Sequence, residues 1–328
     1  MTGPFDRART TGRRAGLKSK RMSDTLQRFM FDRSPVRGEL VQISDAWQHV
    51  QARRTYPRPV ATMLGEMMSA AALLSANLKF NGSIIMQIHG DGPVQLLVVE
   101  CDSTLQLRAT AKIAPDAEIA DHANLQELVN LHGHGRFAIT LDPADKVPGQ
   151  QAYQGIVALD GDTVASVIEN YMLRSEQLDT RLWLAADDKV TRGLLLQKLP
   201  HEGGTPSPQA DNDRWDHVVM LASTLGTQEM LDTDIMTLLD RLYWEEQVRV
   251  FEPRKPSFHC SCSREKVGNM LKMLGREEIE SALADLGELD IDCDFCGQKY
   301  GFDAVDCAQL FTTDMLADAV QPPGRQQH

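Results

Sequence analysis

The sequence has few cysteines, six in 328 residues, no uninterrupted apolar run of about eighteen residues, and no excess of positive charge. Each deficit excludes a class of protein. Four of the six cysteines fall between Cys260 and Cys296, which is unlike the even scatter of a secreted disulfide framework. Without a long apolar run no membrane-spanning helix is expected, and the first residues lack the apolar stretch and small-residue site of a secretory signal, so a cytoplasmic location is expected. A formal charge of −12 and a pI near 5.2 disfavour nucleic acid as a partner, because phosphate binding needs a cationic surface. No G-x-x-x-x-G-K-[ST] loop is present to cradle nucleotide phosphates, so ATP-driven action is not expected.

What is present suits a folded chain with more than one unit: 42% hydrophobic and 24% charged residues sit near the globular average. Residues 1–23 are basic and poor in large apolar side chains, and are expected to be disordered, either as a basic arm or as sequence ahead of a start at Met22. Residues 24–200 read as an α+β domain with antiparallel sheets. Alternation and β-branched residues place strands at 26–31, 36–43, 84–88, 94–99, 105–111, 136–141, 153–158, 180–185 and 193–199, the third to fifth as a meander. Helices are expected at 44–53, capped by Ser44 and Asp45, at 60–78, where apolar residues on every side predict burial, and at 163–175.

Residues 201–256 read as a linker: an exposed loop over 201–213, then helices at 215–225 and 232–243. Their helical spacing gathers Leu221 and Leu225, then Ile235, Leu238, Leu239 and Leu242, into one sticky face. Residues 257–311 form a small module, and 312–328 a tail.

The chemistry lies in that module. Phe258-His259-Cys260-Ser261-Cys262 is followed, thirty residues later, by Cys293-Asp294-Phe295-Cys296. Two close thiol pairs suit one tetrahedral Zn2+, which takes four thiolates at about 2.3 Å and then has no open position, so the site is structural or regulatory rather than hydrolytic. Zinc-bound sulfur is thiolate, the form that oxidants attack, and cysteines two or three residues apart can each close on their neighbour. Loss of the ligands would release the metal and melt a module too short to fold on its own core. An inert structural zinc knuckle remains the alternative that spacing alone leaves open. His259 reads either as an extra ligand or as a surface residue, and Cys101 and Cys307 read as core cysteines. A thioredoxin-like enzyme is disfavoured, because Cys293-x-x-Cys296 runs into Gly297 and a β-like segment instead of opening a helix. Acids outnumber Lys and Arg over 257–311, against a nucleic-acid-binding zinc module.

F-x-C-x-C-S-R-E at 258–265 and D-C-D-F-C-G at 292–297, with V-R-G-E-L-V at 36–41, L-K-F-N-G at 78–82, G-D-G-P at 90–93 and R-S-E-Q-L at 174–178, resemble the 33 kDa redox-regulated heat-shock chaperone family over nearly all of 24–311. The resemblance implies an ATP-independent holdase and not an enzyme. It implies that Cys260, Cys262, Cys293 and Cys296 hold one Zn2+ when reduced and form the disulfides Cys260–Cys262 and Cys293–Cys296 when oxidised. It further implies that oxidation unfolds the module and linker, uncovers apolar surface for unfolding client proteins, and favours a homodimer. A constitutive holdase or interaction protein with a purely structural zinc knuckle is the competing expectation.

Overall fold

The first alternating runs pair as a hairpin of β1 (Thr25–Phe31) and β2 (Val36–Ile43) in the computed structural model of the chain, which describes residues 23–32, 34–78, 81–146, 151–200 and 208–319. The basic extension, Lys79 and Phe80 of the L-K-F-N-G motif, and the last residues of the tail lie outside the described residues. α1 (Asp45–Gln51) and α2 (Arg58–Ser75) follow, then β3 (Gly82–His89), β4 (Val94–Asp102), β5 (Gln106–Ile113), α3 (Leu125–Val129), β6 (Arg136–Pro143), β7 (Tyr153–Val157), α4 (Val164–Arg174), β8 (Thr180–Ala186) and β9 (Thr191–Lys198). The expected meander is the antiparallel run β3, β4, β5. The architecture is mixed α and β with antiparallel sheets, as the sequence indicated.

With β10 (Val248–Val250) and β11 (Ser257–Phe258) from later in the chain, these strands form two sheets, in the orders β10-β1-β2-β9-β8 and β11-β5-β4-β3-β6-β7. α2 packs against strands of both, which is why it is apolar on every side: Leu64, Met67, Met68 and Leu73 are all fully buried between the layers. Period-two alternation gives the first sheet a second apolar face. Leu195 points into the α2 core while Leu194 and Leu196 join Phe29, Phe31, Val36 and Leu40 on the opposite side. Gly38 is required there, because a Cβ at that position would run into the Phe29 ring.

The linker covers that second face with α5 (Pro208–Ala222), α6 (Thr227–Asp232) and α7 (Ile235–Leu242), then adds β10 (Val248–Val250) to β1 and β11 (Ser257–Phe258) to β5. The module holds α8 (Arg264–Leu274), α9 (Arg276–Leu286), the hairpin β12 (Leu289–Asp292) and β13 (Lys299–Phe302), and α10 (Ala304–Ala319).

Several local expectations need correction. Ser44 makes no side-chain cap; the Asp24 carboxylate instead accepts from the backbone N–H groups of Ser44, Asp45 and Ala46 at 2.6, 2.7 and 2.9 Å. Of the loop expected over 201–213, residues 201–207 lie outside the described residues and 208–213 are helix instead, begun at Pro208, proline being acceptable in a first turn where its missing N–H is unneeded. The helix expected at 232–243 is α7, which starts only at Ile235 because Asp234 caps it by accepting from the Thr237 N–H at 3.0 Å, and α6, a short helix before it, was not expected. α10 continues across 311 to Ala319, into the segment expected as tail.

Candidate metal centre

β11 is too short to be stable alone, but it is pinned in parallel register to β5 by the Ser257 N–H on the Leu105 carbonyl and the His259 N–H on the Leu107 carbonyl, both at 3.0 Å. That contact delivers Cys260 and Cys262 beyond the strand end. Ser263 then caps α8, its hydroxyl accepting from the Lys266 N–H at 3.2 Å, so the capping works without the acid that usually completes the box. The second pair sits in the β12–β13 turn. There the Cys293 N–H donates to the Gln298 carbonyl at 2.9 Å and the Gly297 N–H to the Cys293 carbonyl at 2.8 Å, with Gly297 in the left-handed region at φ +69°.

The two segments bring all four sulfurs within 4.8 Å of one another, with Cys260–Cys293 at 3.7 Å and Cys262–Cys296 at 3.3 Å. These are contacts and not bonds, since a disulfide is about 2.05 Å long, and all four cysteines are free. A tetrahedral ion with sulfurs at about 2.3 Å sets them about 3.8 Å apart, so the donor set and its spacing fit Zn2+. These two near contacts run between the pairs, as expected of four ligands of one centre.

The sulfurs are electrostatically unequal. Burial opposes the Cys262 thiolate, but hydrogen bonds from the Tyr300 hydroxyl, 3.1 Å away, and from the neighbouring thiols outweigh it and bring its pKa down to about 7. Burial pushes the Cys293 thiol up, and the Cys296 thiol up to about 12. A cation among the sulfurs would offset the burial that raises Cys293 and Cys296 and favour their thiolates.

His259 is exposed, outside the four-sulfur group, and contributes its backbone N–H. Cys101 is fully buried in β4, its thiol pushed up to about 12 by burial, and Cys307 is buried in the module's small core. Of the linker residues expected to be sticky, Ile235 and Leu239 are buried against the first sheet, Leu221, Leu225 and Leu242 pack half-buried on the same cluster, and Leu238 is buried. Their partners were not singled out from sequence: Phe29, Phe31 and Tyr243 form an aromatic knot with Phe31 edge-on to Tyr243 at 4.9 Å, and Arg192 of β9 donates to the Met230 and Thr233 carbonyls at the end of α6. Alternation does mark Phe29 and Phe31 as one face of β1. Arg192 carries no local signal beyond being a charge inside an apolar strand.

Among the described residues no helix is long and apolar enough to cross a membrane. The sequence model of the family described as Hsp33 protein matches residues 24–303. A 33 kDa chaperonin of Chromobacterium violaceum is 50% identical over 296 residues, covering 90% of this chain and 96% of the relative. One from Methylobacillus flagellatus is 46% identical over 296 residues, covering 90% and 97%. The crystal structure of the 33 kDa chaperonin of Thermotoga maritima superposes with a TM-score of 0.72 at 20% identity, covering 89% of this chain and 99% of that one, which supports the fold. With its four-sulfur centre and its match over most of its length, the chain belongs to the Hsp33 family of 33 kDa chaperonins.

Proposed function

We propose that this chain is a redox-regulated, ATP-independent holdase of the cytoplasm. In this reading the reduced chain holds one Zn2+ through Cys260, Cys262, Cys293 and Cys296 and keeps its apolar surface covered. The observation that carries it is the convergence of four free thiols within 4.8 Å in a module whose own core is five buried side chains, Leu271, Ile279, Leu289, Phe302 and Cys307. When bound, the metal supplies folding free energy, roughly 10–16 kcal/mol in small zinc modules, and holds its ligands as thiolates.

The residues then do the switching. Oxidation by a peroxide takes two electrons from each cysteine pair, forms one S–S bond, breaks the O–O bond and, with two protons, leaves two waters. The pairings proposed are Cys260–Cys262 and Cys293–Cys296. A sulfur committed to a disulfide no longer ligates, so the module loses its order. β11 loses its anchor with it, because Cys260 lies two residues beyond Phe258. The linker helices α5, α6 and α7 are then held to the first sheet by their own packing, the Arg192 hydrogen bonds and the β10 pairing with β1, and their release uncovers Phe29, Phe31, Val36, Leu40, Leu194 and Leu196 together with the apolar linker face. Unfolding client proteins would bind there, and two uncovered chains would pair as a dimer. The working divisions are a core of 24–200, a linker of 201–256 and a switch of 257–311, and the task is binding, not turnover.

The test is a titration of the reduced, zinc-loaded protein with hydrogen peroxide, following zinc release, helicity and suppression of client aggregation in one series, with peptide mapping of the disulfides. The three signals are expected to move together. Zinc release without any gain in protection would sink the switch, and equal protection by the reduced and oxidised forms would select a constitutive holdase with a structural knuckle.

A further inference from the structure

We propose that Arg108 and Arg54, both outside the cysteine module, are positioning residues for the thiol cluster: they clamp Cys260 and the Cys293–Cys296 turn against β5 and hold the module docked while its sulfurs carry charge. The inference rests on the redox-switch reading and deepens it, by naming where the core domain touches the sulfur site.

Arg108 follows Leu107, whose carbonyl holds the His259 N–H, and sits opposite Glu100 in the β4–β5 register. Glu100 Oε2 accepts from both Nε and Nη2 of Arg108, which fixes the guanidinium plane. Two functions of that plane remain, and both go to the module. Nη1 donates to Cys260 Sγ at 3.8 Å, and the flat face lies 4.4 Å from the centre of the Phe295 ring, between Cys293 and Cys296. One side chain thus touches a cysteine of the first pair and the aromatic residue between the two cysteines of the second. With Arg108 and Glu100 side chains only 19% and 23% exposed, solvent screens this contact less than a surface pair.

Arg54, in the turn between α1 and α2, grips the same knuckle one residue earlier. It donates to Asp294 Oδ1 at 3.2 Å and to the Ala111 carbonyl of β5 at 3.4 Å. Its pair with Asp294 is 47% and 74% exposed, so its contribution is small and Arg108 is the principal contact.

The contact depends on the redox state of the sulfur. A thiolate accepts a charge-assisted hydrogen bond, whereas a disulfide sulfur is neutral and a weak acceptor, so oxidation of Cys260 removes what holds the third arm of Arg108. An arginine serving only the β4–β5 pair would be satisfied by Glu100 and would have no effect on the metal.

The test uses the reduced, zinc-loaded full chain and two readouts that involve no client: the rate of zinc transfer to a chromogenic chelator, and hydrogen exchange at the Ser257 and His259 amides. Arg108→Met is expected to speed zinc transfer and His259 exchange about tenfold, Arg54→Gln about twofold, and Arg108→Lys, which keeps the charge but not the three-armed plane, to recover only a minor part of the loss. Amides in the β3–β6 pair serve as the control and are expected to be unchanged. Transfer and exchange rates in Arg108→Met within twofold of the parent would overturn the proposal. Should β5 itself lose protection in that variant, Phe295→Leu carries the decision from the other side of the contact, with about threefold faster transfer expected and an unchanged rate overturning it. Failure of the switch reading shows separately, as a parent protein whose client protection ignores oxidation while these rates still respond.

Discussion

The two ends of the chain solve the same problem with unequal means. Around α2 the core packs Trp47, Leu64, Met67, Met68, Leu73, Phe137 and Leu195 between two sheets, all essentially without exposure. Among the described residues the cysteine module buries five hydrophobic side chains and leaves Met273, Leu286, Val305 and Leu274 exposed at 82, 71, 64 and 58%. A core of that size in so short a segment rarely supplies more than ~3–5 kcal/mol. The first region therefore carries its own stability, and in the proposed reading the second borrows it from a metal held by the four sulfurs. Between them the linker has no core of its own; its apolar side chains complete the outer face of the first sheet, and Arg192 ties the end of α6 down through backbone carbonyls.

The sharpest way to break this contrast is to remove the metal from the reduced chain with a chelator and follow hydrogen exchange along its length. Protection over 264–311 is expected to fall nearly to that of an unfolded peptide, since roughly 10 kcal/mol of binding free energy goes with the ion. Amides of β2, β3, β4 and β9 are expected to keep theirs. A module that stays protected without metal would erase the distinction between the two regions.

A smaller effect separates linker from core. Leu239 is 2% exposed against the Phe29 side of the first sheet, so Leu239→Ala removes packing worth about 2–4 kcal/mol at that contact. The expected result is faster exchange in α7 and new binding of a hydrophobic dye in the reduced protein, with the α2 core unchanged. If α2 and the linker lose protection by equal amounts, the two are one cooperative unit and the linker cannot be released by itself.

Which parts of this arrangement the sequence revealed follows from the range of the forces involved. Period-two alternation exposed the strands, and the all-round apolar run at α2 announced burial, because both patterns are local. The cysteine pairs were legible as one centre because ligand spacing is itself a chemical constraint. Short elements escaped: β10 and β11 have three and two residues, too few for any period, and exist only because β1 and β5 offer free edges. α3 also escaped, although Asn124 and Glu127 spelled out a capping box. The Asp24 cap of α1 and the Arg108 contact with Cys260 join residues far apart in the chain, and no local pattern encodes such a pairing. The covered state of Ile235 and Leu239 was hidden for the same reason: amphipathic spacing marks an apolar face but not what covers it.

The smallest expected effect concerns a charge buried inside the stable region. Glu39 of β2 is 1% exposed, and burial pushes its carboxyl up to about 7, only partly offset by Arg37, Asn77, Arg28 and, from the linker, Arg254. The folded chain therefore retains a proton that the unfolded chain gives up near the ordinary carboxyl value of 4.5, and the stability this provides is complete below that value and is lost as pH rises through about 7. From pH ~5.5 to ~8 the loss amounts to about 2 kcal/mol, at about 1.4 kcal/mol per pH unit up to the folded-state pKa. Glu66, lifted to about 8 by burial, slopes the same way, so the informative quantity is the difference between parent and variant. Urea unfolding followed by tryptophan emission at the two pH values is expected to give Glu39→Gln a flatter dependence than the parent by about that amount. Because Arg254 lowers the same carboxyl from the linker, Arg254→Met is expected to steepen the pH dependence that Glu39→Gln removes, and identical slopes in parent and Glu39→Gln would mean that the carboxylate is hydrated and the first region less tightly sealed than its 1% exposure implies.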